Sequence, residues 1–380
     1  MGEHVLVAPD KFKGSLTAAE VAGHVAAGLG VRAVELPVAD GGDGTVDAVV
    51  ACGFERIGVE VAGPLGEPVP AAYARRGDTA VIELAEASGL RRLTGELAPL
   101  TASSHGTGEL IAHALRSGAR RIVLGLGGSA STDGGAGMVT ALGARLLDAD
   151  GRELAPGGAA LRELARIDLS GFADLSGVEV VVASDVDNPL LGPHGAAAVY
   201  GPQKGAGPGE VRLLDAALAR LAAVATHTHG LVGAVEHDGT PRPMGVAGAP
   251  GAGAAGGVGF AALAFLGAEI RPGIDYLLDL LGFGEHLRDA RLVITGEGSL
   301  DEQSLRGKAP VGVAQAAAKA GVPVVAVCGR RSLDDADLRA AGFEAAYALT
   351  DLEPDPARCM AGAGPLLERL AARIAEAHLA

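Results

Sequence analysis

The sequence predicts an α/β protein of two α/β domains: one Rossmann-like, with a parallel sheet and discontinuous in sequence, the other inserted into it with a mixed sheet. Three observations carry this reading. The alternation of apolar strand-like runs with helix-like runs in Val5–Cys52 returns after Arg291, so the two ends of the chain share one texture. Between them, from Glu55, the segments ERIGVEVAG, PVPAAYARR and TAVIELAEA read as strands joined by Gly-Pro and Gly-Asp turns, an antiparallel stretch. At 380 residues the chain also exceeds one ordinary domain. The boundaries expected are 1–62 plus 286–380 for the split domain and 63–285 for the inserted one.

Taken in order, His4–Ala8 reads as a buried strand that closes at Asp10, and Thr17-Ala-Ala-Glu20 is a capping box opening a helix to Leu29. Ala33–Ala39 is a second strand, closed by Asp40 and followed by GGDGT, which carries Asp43, and by a helix from Val46 to Cys52. After the antiparallel stretch, TASSH at Thr101–His105 supplies hydroxyls ahead of a helix; Ser104 or Thr107 either caps it or binds an anion at its N-terminus. A strand at Arg121–Leu124 leads into the glycine-rich segment Leu124–Met138, LGLGGSASTDGGAGM, and a helix over Met138–Leu147. Leu161–Ile167 is a short helix, Val178–Ser184 a strand ending at Asp185, and Val211–Ala225 an amphipathic helix. PGAGAAGGVGFAALAFLGA, poor in polar groups, reads as a closely packed helix. Strands Arg291–Thr295, Val322–Cys328 and Ala345–Leu349 alternate with helices at Val311–Ala320, near Asp335–Ala341 and at Pro365–His378.

The segment Leu124–Met138 admits three readings. Glycines that let backbone N–H groups approach an oxyanion, ahead of a helix N-terminus, make an anion cradle suited to phosphate. Gly125-Leu-Gly127-Gly-Ser-Ala130 also fits the dinucleotide fingerprint, with Asp148 as the ribose acid. The bland alternative is a tight strand-to-helix turn with Asp133 as N-cap. Ser129, Ser131, Thr132 and Asp133 crowd the loop with hydroxyls and a carboxylate, which phosphoryl transfer explains better than dinucleotide binding.

Acids repeat one device. VLVAPD ends in Asp10, LPVAD in Asp40, VVVASD in Asp185 and LVITGE in Glu297, each an apolar run closed by a carboxylate where open α/β sheets hold their ligands. Any one of them reads equally well as a turn former. Together with Asp43, Asp133, Asp187 and Asp301 they suggest a bound cation, since clustered carboxylates otherwise repel. Lysine is scarce: of 31 basic residues only Lys11, Lys13, Lys204, Lys308 and Lys319 are lysines. Arginine covers the generic surface, so the lysines mark places that need a compact ammonium, against the alternative of surface lysines left by chance. Gly307-Lys308 is not a Walker A motif, because the frame is absent and Ala309 stands where a hydroxyl belongs.

Other classes are disfavoured. A net charge of −15, no Trp and 3% aromatic residues speak against nucleic acid. No uncharged run is long enough to span a bilayer and the N-terminus lacks a signal-peptide pattern, so no membrane partner and a cytoplasmic location are expected. Cys52, Cys328 and Cys359 are isolated, and His227 and His229 read as a solvated helix end rather than a ligand pair, so a structural metal is not expected.

The motifs resemble those of the bacterial glycerate kinase type-1 family: APDKFKGSLTAAEVA at Ala8–Ala22, PVADGGDGT at Pro37–Thr45, SSHGTGELI at Ser103–Ile111, GLGGSASTDGGAGM at Gly125–Met138, SDVDNPLLGPHGAA at Ser184–Ala197, YGPQKGA at Tyr200–Ala206, PGAGAAGGVG at Pro250–Gly259 and TGEGSLDEQSLRGKAPVGVA at Thr295–Ala314. They occur in family order across nearly the whole chain. The resemblance implies ATP-dependent phosphorylation of D-glycerate, usually at the 2-hydroxyl, in a cleft between two α/β domains, with ATP and Mg²⁺ as cofactors. Read with the residues, it makes Asp185 the expected base, with Lys13 and Lys308 as catalytic anion-neutralising groups. Ser15, Ser104, Gly127, Gly128, Ser129, Asn188 and Lys204 are the expected substrate or phosphate binders. Asp10, Asp40, Asp43, Asp133, Glu297 and Asp301 compete for metal or nucleotide. The partners expected are small molecules, with a homodimer left open. Two other classes stay in view: a nicotinamide-dependent hydroxy-acid dehydrogenase using GLGGSA, and a non-catalytic small-anion sensor.

Overall fold

Local chemistry starts the first helix where the sequence places it. Glu20 N donates to Thr17 Oγ1 at 3.2 Å and Thr17 N donates back to Glu20 Oε2 at 2.8 Å, so the helix Ala18–Leu29 opens on a complete capping box. The structure, a computed structural model, describes residues 3–229, 245–305 and 307–379; the side chains of Thr228 and His229 lie outside the described residues.

Strands follow in chain order as β1 His4–Val7, β2 Ala33–Glu35, β3 Glu55–Ala62, β4 Pro68–Arg76, β5 Thr79–Glu83, β6 Arg121–Gly125, β7 Arg145–Leu147, β8 Arg166–Asp168, β9 Glu179–Ala183, β10 Glu269–Arg271, β11 Ala290–Leu300, β12 Val324–Arg331 and β13 Ala345–Ala348. By its contacts the chain divides into two compact units. The first is Met1–Asp40, Asp47–Phe54 and Pro272–Ala380; the second is Gly41–Val46 and Glu55–Arg271.

The first unit is built on a five-stranded sheet in the order β13-β12-β11-β1-β2, with every pairing parallel. Its strands carry continuous apolar runs because both faces are covered. On one face Val5, Val7, Leu292, Ile294, Val325 and Val327 meet Val21 and Val25 of the first helix and Leu367, Leu370 and Ile374 of the helix Ala363–His378. Those two helices approach so closely that a Cβ on Gly28 would lie 2.2 Å from Glu368 O, so only glycine fits there. From β1 the chain moves to β2 on one side, and from β11 to β12 and β13 on the other. The order therefore reverses between β1 and β11, the position where open α/β sheets leave a crevice at their carboxyl ends.

The second unit has a six-stranded sheet, β10-β9-β6-β5-β4-β3, parallel from β10 to β5 and antiparallel through β4 and β3. Ile82, Ile122, Leu124 and Val182 pack there with Leu110 and Ile111 of the helix His105–Arg116. A second core gathers Leu214, Leu218 and Leu221 of the helix Pro208–His229 with Leu161, Leu164 and Ile167.

Some elements differ from expectation. β3 pairs with β4 along its whole length and so lies in the second unit, while residues 272–285 lie in the first. Cross-strand hydrogen bonds tie β3 to its neighbour whatever its position in the chain. The helix expected over Met138–Leu147 is short, Ala136–Ala141, and Arg145–Leu147 instead pairs antiparallel with Arg166–Asp168, where a helix over Leu161–Ile167 was expected. Only a 3₁₀ turn forms, at Gly158–Glu163. Short apolar runs carry no decisive period, and here cross-strand pairing takes them.

Candidate functional site

In the first unit, the carboxyl ends of the strands surround a cavity of about 610 Å³. Seven of the predicted residues line it: Asp10, Lys13, Ser15, Asp40, Glu297, Asp301 and Lys308. Asp10 follows β1, its backbone fixed by donation from Asp10 N to Gly296 O at 2.8 Å on the neighbouring strand. The next residues form a small turn, closed by Phe12 N donating to Leu16 O at 2.9 Å, which presents Lys11, Lys13 and Ser15. Glu297 sits on β11 itself. Lys308 is the N-cap residue of the helix Ala309–Lys319, and its Nζ lies 3.7 Å from Glu297 Oε2.

The electrostatics are those of crowded acids. Burial, with Asp40 and Glu297 adding to it and Lys11 opposing, pushes the Asp10 carboxyl up to about 7. Burial also raises Glu297 against the pull of Ser304 and Lys308, and its Oε1 is buried with no hydrogen-bond partner among the described residues. Asp301 instead accepts from Gln303 N at 2.9 Å and from Ser299 Oγ at 3.1 Å, which fixes the loop ahead of Lys308. Ser15 Oγ donates to Met360 O at 2.9 Å, so this hydroxyl braces the wall rather than standing free. Two further charged side chains line the cavity: Lys11, singled out among the scarce lysines but given no site role, and Arg330, whose Nε donates to Ser299 Oγ at 3.1 Å. The scarcity of lysine was the signal for Lys11; nothing singled out Arg330 among the arginines.

In the second unit the remaining predicted residues gather near the tips of β6 and β9. The loop after β6 is held from inside. Gly127 N donates to Gly41 O, Ala130 N to Ser88 O and Gly134 N to Gly256 O, while Gly135 N and Gly137 N both donate to Asp133. With these N–H groups occupied, the phosphate-cradle reading is corrected for that part of the loop. Asp133, fully buried, also accepts from Ser104 N and Ser104 Oγ, each at 2.8 Å. Asp133 thus makes the bonds of the turn-holding carboxylate of the bland reading, and Ser104 gives its own helix no side-chain cap, its hydroxyl bonding Asp133 and Met138 N instead. Thr107 Oγ1 likewise donates to Ser88 Oγ at 2.8 Å. Asp148, the ribose acid of the dinucleotide reading, accepts from Asp150 N and Arg152 N in a surface turn, and is corrected too.

Lys204 is an interior group, 2% exposed, donating to Ser129 Oγ at 2.7 Å and to the Ser131 carbonyl at 2.5 Å. Burial pushes its ammonium down to about 7, with Asp133 opposing. Because Ser129 Oγ accepts from Lys204, its own proton points elsewhere as a donor. Gly128 O accepts from Leu90 N, fixing the loop from the other side. Asn188 is engaged with Tyr200 Oη and the His194 carbonyl. Asp185 is exposed at the tip of β9.

GGDGT, Gly41–Thr45, and Val46 after it dock in this unit through Glu83. Glu83 closes β5 and accepts from Gly44 N at 3.0 Å and Val46 N at 3.2 Å. Burial raises its carboxyl, opposed by Arg91, which also pairs with Asp43 and Glu86. The loop lies so close to β9 that a Cβ on Gly41 would sit 2.2 Å from Ala183 O. TAVIE shows the same strand-plus-acid pattern as the other four and could have been read the same way. A further cavity of about 890 Å³ in this unit, bordered by His105, Glu109, Arg145 and Glu153, takes in none of the predicted residues.

Among the described residues no helix is long and apolar enough to cross a membrane, and no three acids, histidines or cysteines converge to hold a metal alone.

Two α/β units whose strand tips carry clustered acids and ammonium groups are the framework of a phosphotransferase. The chain belongs to the glycerate kinase family, whose model, "Glycerate kinase family", matches residues 5–379. It is similar to the glycerate kinase of Bacillus subtilis (strain 168), 45% identical over 355 residues covering 91% of this chain and 90% of the relative. It resembles the glycerate 2-kinase of Escherichia coli (strain K12) equally, 45% identical over 356 residues with the same coverage. A crystal structure assigned to glycerate kinase 2 of Salmonella typhimurium LT2 superposes with a TM-score of 0.84 at 41% identity, over 99% of this chain and 98% of that one.

Proposed function

We propose that the chain transfers the γ-phosphoryl group of ATP to D-glycerate, at the 2-hydroxyl, giving 2-phospho-D-glycerate and ADP. The observation that carries this reading is the cavity of the first unit, where Asp10, Asp40 and Glu297 face Lys11 and Lys308 at the switch point of a parallel sheet. Carboxylates beside ammonium groups suit a phosphate chain that arrives with a divalent cation, and the glycerate 2-kinase name of the Escherichia coli relative supports the choice of hydroxyl.

The residues present fit Mg²⁺. Glu297 Oε1 is buried without a partner among the described residues, and burial, with Asp40 and Glu297 adding to it, lifts the Asp10 carboxyl to about 7, both of which a cation would relieve. Mg²⁺ ordinarily takes one or two carboxylates and fills its shell with phosphate oxygens and water, so a pair drawn from Asp10, Asp40 and Glu297 suffices. When bound, it would offset the charge of the phosphates. Lys308 and Lys13 neutralise further phosphate charge.

Asp185 is the proposed base. It takes the proton of the 2-hydroxyl as that oxygen forms its bond to the γ-phosphorus and the bond to the β–γ bridging oxygen breaks, leaving ADP. Ser129, with its hydroxyl oriented by Lys204, is a donor for the acid's oxygens.

ADP release measured over a panel of hydroxy acids, with ³¹P spectra of the product, tests the reading. D-glycerate should be the preferred acceptor and the 2-phosphate the product. Asp185→Asn should lower kcat on the order of 10²–10⁴-fold with the melting temperature kept. Near-parent kcat would remove Asp185 from the role, and NAD reduction with glycerate in place of ADP release would overturn the kinase reading.

A further inference from the structure

The cavity of the first unit has two unlike walls. One carries the charges described above. The other is apolar: Leu349, Cys359 and Ala363, at 1–4% exposure, form its backing, and Met360, at 51%, stands exposed among the lining residues. Leu349, Cys359 and Ala363 belong to the core behind the sheet, so the wall is anchored in packed structure.

This wall is also fixed in position. Asp355 caps the helix Pro356–Ala361, accepting from Arg358 N at 2.9 Å. Ser15 Oγ, on the turn that follows Asp10, donates to Met360 O at 2.9 Å and so ties the apolar wall to the charged one.

A three-carbon hydroxy acid has no apolar surface to place against such a wall, and would leave most of about 610 Å³ to water. A nucleotide has both kinds of surface. Its planar base buries well against a flexible, polarisable thioether and the apolar face of a proline ring, and its phosphates need the charged side.

We propose that the first unit is the nucleotide site, with the purine base on Met360, Pro356 and Leu349 and the triphosphate toward Glu297 and Lys308. The proposal rests on the kinase reading above and names which of its two substrates this cavity holds.

Photolabelling with 8-azido-ATP followed by peptide mapping tests it on the whole chain. Label displaced by ATP should fall within residues 347–363. Met360→Glu, a change at an exposed position, should raise the Kd for ADP and the KM for ATP about tenfold while the KM for D-glycerate stays at the parent value. Met360→Leu should keep parent affinity. Label confined to residues 55–271, no label that ATP displaces, or a Met360→Glu variant with parent ADP binding and a raised KM for D-glycerate would each overturn the assignment. The kinase reading fails separately: nucleotide would still label residues 347–363, but no hydroxy acid would release ADP.

Discussion

Acids that close apolar strands occur in both units, yet they come to different ends. In the first, among the described residues, Asp10 accepts a backbone N–H from Lys11 at 2.7 Å, and one oxygen of Glu297 is buried with no partner. In the second, Glu83 accepts from Gly44 N, Val46 N and Arg91, and Asp133, in the loop after β6, accepts from Ser104 N, Ser104 Oγ, Gly135 N and Gly137 N. The lysines divide in the same way: Lys308 is over a third exposed beside Glu297, while Lys204 is sealed against Ser129 and Ser131. A carboxylate saturated by backbone N–H groups holds a loop. One left short of donors, beside other acids, is in the condition a cation or a phosphate chain would relieve.

The sharpest way to break this distinction is Asp133→Ala. Four donors would lose their acceptor inside a fully buried site, so we expect a loss on the order of 4 kcal/mol in denaturant unfolding. Activity should fall with the folded fraction and not ahead of it. A stable Asp133→Ala variant that has lost only catalysis would move Asp133 back among the ligand-binding acids.

Asp10 gives the next largest effect, read in the pH profile. Its carboxyl is lifted to about 7 by burial and acidic neighbours, so below that pH it is protonated and poorly suited to a cation. kcat/KM for ATP should fall by about tenfold per unit as pH drops below 7, and Asp10→Asn should flatten that limb while lowering its plateau. An unchanged limb in Asp10→Asn would assign the titration elsewhere, with Glu297 the nearest alternative since burial raises it too.

Much of this was legible in the sequence, and the losses have physical causes. The parallel first unit was readable because its strands are continuous apolar runs closed by acids and its first helix opens on Thr17 and Glu20. The seven cavity residues were readable because strand tips are where such sheets hold ligands. The bonding of Asp133, Ser104 and Lys204 was not, because a motif shows which groups are polar and not which way their partners lie. Gly127 N could as well have met a phosphate as Gly41 O; only the fold decides which acceptor arrives. Arg145–Leu147 and Leu161–Ile167 failed for a simpler reason, being too short for period to choose between strand and helix. Glu83 was visible as TAVIE but sat in a stretch read only for its turns.

The smallest effect concerns Lys204 and tests whether its charge is held inside the protein. Burial lowers its ammonium from 10.5 to about 7 in the folded chain, while in the unfolded chain it titrates near its ordinary value. Between those values the unfolded state binds the extra proton. Lys204's contribution to stability is therefore complete above about 10.5 and is lost as pH falls toward 7. Lys204→Met removes that dependence and keeps the volume. Melting temperatures taken for both proteins at mildly acidic and mildly alkaline pH isolate the term, because other groups titrate alike in the two. On going to the alkaline condition the parent should gain roughly 2–4 °C relative to Lys204→Met. Two parallel curves would mean that water or a carboxylate reaches the ammonium, and the lysines of the two units would then differ in degree and not in kind.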